Sequence, residues 1–226
     1  MRLMTRGFLA VLSLLCALAL GLALEQDGAP SSNEKIMNPA NLTERAPDNF
    51  QARFETTRGT FVVQVRRAWT PNGADRFYNL VKNGYYDNCR FFRVMYGALV
   101  QFGINGDPKV NAAWMQARIP DDPVKQSNRR GYVSFATGGK NGRTTQILIS
   151  LSDENIQLDA QGIAPFGTIV KGTDIVNAFY AEYDPPMGKR GPEESRLQIE
   201  GNAYLDKSFP KLDYIKSATI VSDAKK

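Results

Sequence analysis

The chain has 226 residues, of which 42% are hydrophobic and 23% charged, and it carries a net charge of +5; these values fit one soluble globular domain with appendages. It has no histidine and two cysteines, Cys16 and Cys89, which excludes Ser-His-Asp and Cys-His catalysis and His-ligated zinc. The mild basic excess forms no dense Lys/Arg run, so neither a nucleic-acid nor a lipid-surface footprint is expected.

Met1–Arg6 is short and basic, and residues 7–24 are almost wholly apolar. Gly21-Leu22-Ala23 then gives a small-x-small end before the chain turns polar at Glu25. Residues 1–23 therefore read as a secretory signal peptide, with an uncleaved membrane anchor as the alternative because the run is just long enough to span. The expected location is extracytoplasmic, either periplasmic or secreted, or membrane-anchored on the alternative reading. Leu15 stands before Cys16, where a lipid-attachment signal wants a small residue. A mature chain would keep Cys89 alone, too little for an internal disulfide or a Cys-rich metal site. Its simplest reading is a small residue beside a strand.

Residues 24–49 are polar, rich in Asn, Pro and Ser, and lack periodicity, and they read as a flexible linker. Asn41-Leu42-Thr43 is a glycosylation sequon. The ordered domain is expected over 50–222, followed by a short tail at 223–226. Residues 54–65 read as two strands about an Arg58-Gly59 turn. Thr70-Pro71 opens a helix, with Thr70 as N-cap and an apolar stripe at Phe77, Leu80 and Val81, and Gly84 ends it. Short β runs follow at 90–94, 99–102, 132–135, 146–150 and 166–170. A second short helix is expected over 174–180 and a last strand over 218–221. Many short strands, Gly-rich turns and only two helices predict a mostly β barrel or sandwich.

No carboxylate pair, phosphate loop or metal cluster stands out, and Gly138-Gly139 sits in no strand–GxGxxG–helix unit. The order of short motifs is more telling. Gly84-Tyr85-Tyr86-Asp87 precedes Phe91-Phe92-Arg93-Val94, Gly97 and Gln101. Ser127-Asn128 and Arg130-Gly131-Tyr132-Val133-Ser134-Phe135-Ala136 come next, then Thr145-Gln146, Leu158-Asp159 and Ala164-Pro165-Phe166-Gly167. Gly201-Asn202-Ala203-Tyr204-Leu205 and Phe209-Pro210-Lys211-Leu212-Asp213-Tyr214-Ile215 close the series. Each motif is weak, but the ordered set resembles the cyclophilin-type peptidyl-prolyl cis-trans isomerases, in their bacterial-looking branch, from about Phe54 to Ile220.

The resemblance implies an eight-stranded antiparallel β-barrel capped by two α-helices. It implies X-Pro segments of polypeptides as partners, bound on the barrel's outer face, and no cofactor. The composition gives no metal or nucleic-acid signature, so neither is expected as a partner, and the chain is expected to be monomeric. Such chemistry needs little equipment. Amide resonance sets a barrier of roughly 18–20 kcal/mol to rotation, and catalysis means favouring the twisted amide over the planar one. In the twisted state the proline nitrogen regains its lone pair, which a guanidinium can stabilise by donating hydrogen bonds.

Carried over position by position, Arg93 falls on the catalytic arginine and Gln101 on the glutamine that bonds the substrate backbone. Ala136 and Thr137 fall on groove positions beside the residue that precedes proline. Leu99, Ala98, Leu148 and Leu158 are the remaining substrate-binding positions. Leu99 replaces a methionine, while Ala98 and Leu148 replace pocket phenylalanines. Phe92 and Ile163 stand at or near histidine positions, Tyr96 at a proline position, and Gln157 where eukaryotic members have tryptophan. The arginine–glutamine pair favours an active isomerase that assists folding outside the cytoplasm. The largely aliphatic lining favours the alternative, a catalytically weak peptide-binding or chaperone module. Tyr85, Tyr86 and Phe91 are expected to serve packing.

Overall fold

The computed structural model describes residues 35–183 and 191–221. The expected leader or anchor at 1–23 and the tail at 223–226 lie outside the described residues. Among those described, no helix is long and apolar enough to cross a membrane.

Strands β1 (Asn49–Thr56) and β2 (Thr60–Arg66) form the expected hairpin. Phe50, Ala52 and Phe54 alternate inward along β1, as a period of two requires when one face is buried. Phe54 pairs in register with Phe61, and the two rings stack at 4.8 Å. After helix α1 (Pro71–Lys82) come β3 (Arg93–Met95), β4 (Leu99–Phe102) and helix α2 (Pro108–Trp114). Then follow β5 (Tyr132–Phe135), β6 (Ile147–Ser150), a 3-10 stretch (Asp153–Gln161), β7 (Pro165–Lys171) and helix α3 (Thr173–Asn177). Helices α4 (Glu194–Glu200) and α5 (Asn202–Ser208) precede the last strand, β8 (Ile215–Val221).

All eight strands belong to one sheet in the order β3-β4-β6-β5-β7-β2-β1-β8, and every pairing is antiparallel. The sheet curls until its two end strands approach. Where the chain enters them, Phe91 N–H donates to Asp213 O at 2.9 Å and Ile215 N–H to Cys89 O at 3.0 Å. This closure covers edges that would otherwise be open to pairing. The interior is strongly aromatic: Phe54, Phe61, Phe77, Tyr86, Phe91, Phe102, Phe135 and Phe166 are all buried. Cys89 is buried as well, and burial pushes its thiol well above the ordinary range.

The expected mostly β barrel is present, and α1 and α3 answer to the two expected helices. Short helices α2, α4 and α5 add to them, so the count of two was too low. Each spans seven residues, too short a window for helical periodicity to stand out.

Two further expectations need correction. The first is the flexible linker expected over 24–49: its residues 24–34 lie outside the described residues, but residues 35–49 are docked on the domain. Ile36 and Ala46 are buried. Trp114 donates its indole N–H to Ile36 O at 2.7 Å, and the Asn79 amide exchanges bonds of 2.7 and 3.2 Å with the backbone of Glu44. Individual side chains hold this segment, so it shows no repeating pattern.

The second is the start of α1. The Thr70 hydroxyl is buried without a partner and caps nothing. Asp122, from a distant loop, instead accepts the Asn72 and Gly73 N–H groups at 3.1 and 3.0 Å. A carboxylate satisfying orphan N–H groups at the positive end of a helix is favourable wherever it comes from in sequence.

Asp75 on α1 anchors the docked segment. It accepts two bonds from Arg67, at 2.7 and 2.8 Å, and one from Ala46 N–H at 2.9 Å. Burial alone would raise its carboxyl, but the bonds from Arg67 and Ala46 outweigh burial and hold it below its ordinary value. A carboxyl depressed by folding stabilises above its unfolded value, and that stability is lost as pH falls through its folded value. Asp75→Asn is therefore expected to cost about 1–2 kcal/mol near neutral pH. The gap between parent and variant should close as pH is lowered through the acid range, as urea unfolding across a pH series will show.

Candidate active site

Strands β3, β4 and β6 lie side by side, and their register sets three residues in a row. Arg93 stands opposite Gln101, and Gln101 opposite Leu148. Their neighbours Val94, Val100, Phe102, Ile147 and Ile149 belong to the barrel core, so alternation places the row on the outer face. There it forms the floor of a cavity of about 450 Å³, within the range of ordinary ligand sites.

Leu99 on β4 and Leu148 on β6 meet Leu158 and Ile163 to make an apolar end. Ala136, Thr137, Gly138, Gly142, Thr144 and Gln146 make a more polar end, completed by Glu194 from α4. Arg93 Nη1 lies 3.4 Å from Gln101 Oε1. The Gln101 amide N–H₂ donates to Gln146 Oε1 at 2.7 Å. Gln101 is only 5% exposed, whereas Arg93 is exposed. The guanidinium therefore stands over the cavity with N–H groups free to turn toward a ligand, while the amide beneath it is held.

Both walls are fastened by buried polar bonds. On the apolar side Asn128 acts as a hub, donating to Asp159 Oδ1 and to Ile163 O, both at 2.7 Å, and accepting from the Ser134 hydroxyl at 2.7 Å. Burial would raise Asp159, yet the bonds from the Asn128 backbone and side chain leave it below its ordinary value. On the other side buried Arg143 donates to Asp122 Oδ2 at 3.0 Å and to Pro120 O. Asp121 and Asn141 exchange backbone-to-side-chain bonds of 2.8 and 2.7 Å. These contacts pin the 137–144 loop against the residues that cap α1.

The cavity brings together Arg93, Leu99, Gln101, Ala136, Thr137, Leu148 and Leu158 of the residues singled out from sequence. Ala98 is the exception and lies outside the lining. It sits in the turn before β4, where its carbonyl accepts from Leu151 N–H at 2.7 Å and from Asn155 Nδ2 at 2.8 Å. One residue away from Leu99, alternation directs it to the other side of the strand. Sequence reasoning also did not assign Gly138, Gly142, Thr144, Gln146, Gln161 or Glu194 to the site. Gln146 had a signal in its motif, but Glu194 had none, because it reaches the site only through folding. Tyr85, Tyr86 and Phe91 are buried away from the cavity, and Tyr85 and Tyr86 donate their hydroxyls to Gly103 O and Thr145 O.

Asn128→Ala should strand the Ser134 hydroxyl and the Ile163 carbonyl without partners. A stability loss of about 2–3 kcal/mol is expected, with faster amide exchange concentrated in residues 153–163. Hydrogen exchange read by mass spectrometry on parent and variant would check both.

A curled antiparallel barrel with a guanidinium and a held amide over an apolar floor defines a β-barrel protein with a peptide-sized groove on its outer face. The chain belongs to the cyclophilin-type peptidyl-prolyl cis-trans isomerase family, whose model matches residues 51–198. Among curated relatives, a peptidyl-prolyl cis-trans isomerase of Acinetobacter baylyi is 28% identical over 150 residues, covering 60% of this chain and 74% of its own. A peptidyl-prolyl cis-trans isomerase-like 3 of Rhizopus delemar is 29% identical over 170 residues, covering 69% of this chain and 98% of its own. A Cryptosporidium parvum cyclophilin crystallised in the presence of the dipeptide Ala-Pro superposes with a TM-score of 0.54 at 22% identity, covering 76% of this chain and 99% of that one. A cyclophilin from Hirschia baltica gives 0.53 at 16% identity, covering 80% and 77%. At these identities the two structures speak for the fold. The enzyme class of the chain is peptidyl-prolyl cis-trans isomerase.

Proposed function

We propose that this protein accelerates rotation about X-Pro bonds of polypeptides outside the cytoplasm and so assists their folding, working as a monomer. The observation that carries the reading is Arg93 beside Gln101 in one cavity with an apolar end of Leu99, Leu148, Leu158 and Ile163. A proline ring fits the apolar end, where burial holds one side of the bond still. Gln101 can bond the substrate backbone, and Ala136 and Thr137 border the path of the residue preceding proline. As the amide twists, electron density returns to the proline nitrogen, and Arg93 can donate to it. This stabilises the twisted state and not the planar one, which is the condition for a faster rate. The extracytoplasmic setting rests on the basic start and apolar run of residues 1–24.

Arg93→Ala is expected to lower kcat/KM by about 100- to 1,000-fold, as for loss of one preorganised donor to a developing charge. Thermal stability should hold, because the side chain is exposed. A coupled peptide assay and a proline-limited refolding assay would measure the rate. An unchanged rate would remove Arg93 from the chemistry. The aliphatic floor favours a second reading, a groove that binds segments and turns them over slowly. That reading gains if the parent binds proline peptides yet barely accelerates refolding.

A further inference from the structure

Glu194 opens α4 and closes the polar end of the cavity. Its two carboxylate oxygens lie 3.4 Å from Gln101 Nε2 and 3.4 Å from Gln146 Nε2. Both partners are neutral amides, and the Gln101 amide already donates the shorter bond, 2.7 Å, to Gln146. The nearest cation on the same helix, Arg196, is engaged elsewhere: it pairs with Glu200 at 2.5 Å and stacks on the Tyr204 ring at 4.2 Å. Among the described residues no salt bridge engages Glu194, and the cation that shares its cavity, Arg93, bonds the opposite end of the Gln101 amide.

The helix that carries the carboxylate is packed down on the domain. Leu197 of α4 and Tyr204 and Leu205 of α5 are buried against Phe92, Ile104 and Leu212. At the corner between the helices, Gly201 adopts φ +61°, and a Cβ there would collide with Gly106 O. Asn202 N–H donates to that same carbonyl at 3.0 Å. The wall of the same cavity includes the small residues Ala136, Gly138 and Gly142, and Gly138 has open space where a Cβ would stand. An extended peptide advances ~3.3–3.6 Å per residue, so a proline at the apolar end leaves a neighbouring side chain within reach of this end.

Resting on the isomerase reading above, we propose that Glu194 is a specificity-determining residue that selects substrates with Lys or Arg within about two residues of the proline. The cation would complete a charge-assisted contact with the carboxylate, and an acidic side chain there would be repelled.

The test uses the full chain and peptides that differ only two residues before or two residues after the proline, carrying Lys, Gln or Glu. At one of these positions the parent should turn over the Lys peptide roughly threefold faster in kcat/KM than Gln, and about tenfold faster than Glu, with the ratios shrinking at high salt. E194Q should bring the Lys-to-Glu ratio to within about twofold, and E194K should invert it. Ratios within one variant cancel any general loss of activity. Equal rates on all peptides in the parent, or a ratio that survives in E194Q, would overturn the proposal. If no peptide is isomerised faster than in buffer, the isomerase reading itself fails. Calorimetric titration of the same peptides then decides the role of Glu194: a Lys-over-Glu affinity gap that disappears in E194Q upholds it, and no gap overturns it.

Discussion

Antiparallel pairing with a strict period of two governs both the core and the groove. On β3, β4 and β6 the residues that pack the barrel and those that line the cavity alternate along the same short strands. Val94, Val100 and Ile149 point into the core, while Arg93, Leu99, Gln101 and Leu148 line the cavity. A register slip of one residue would exchange the two sets at once. The inner face is therefore a constraint on the outer one. The tight aromatic packing around Phe102 and Phe91, with centroids 5.3 Å apart, fixes the register that sets Arg93 opposite Gln101. Ala98 shows the same rule from the other side, since a single step along the chain is enough to leave the cavity.

Outside the sheet, order depends on polar side chains that reach across long stretches of sequence to satisfy backbone groups. Asp122 caps α1, Asn79 holds the backbone at Glu44, and Asn128 ties Asp159 of the 3-10 stretch to Ser134 of β5. Each sits where buried N–H or C=O groups would otherwise lack partners, an expensive condition. Arg143 is the costly member of this set. It is almost wholly buried, and two of its nitrogens have no hydrogen-bond partner. Its pairing with Asp122 joins the groove loop to the cap of α1, so the loop lining the cavity and the helix packing the core share one carboxylate.

These two layers of constraint explain what could be read from the sequence. The strands were legible because alternation writes itself into a short window, as in Phe50, Ala52 and Phe54. The groove residues on those strands came through the motif series around Arg93 and Gln101. The docking of residues 35–49 was not legible, because single bonds from Trp114, Asn79 and Asp75 leave no periodic trace. The Thr70 cap misled for a related reason: a local rule was met in sequence, while the bond came from Asp122. Glu194 could not be found at all, since 93 residues separate it from its partner Gln101.

The departures of the groove and the extra helices belong together. β3 is three residues long and stands at the end of the strand order, so it has a ladder partner on one side only. Phe92, just before it, carries an apolar ring where the family pattern has histidine. That ring is buried in the cluster made by α4 and α5, not in the barrel core. The helix pair thus packs on the residue next to the strand that carries Arg93, and the phenylalanine supplies the surface it grips. The match to the family model stops within α4, at residue 198, although β8 beyond it pairs with β1 and completes the sheet. The barrel continues past the helices unchanged in plan. At the rim of the groove, the same packing that buries Phe92 also sets a carboxylate beside the amides of Gln101 and Gln146. Burying the residue that leads into β3 and charging the cavity are in this chain two consequences of one apolar contact.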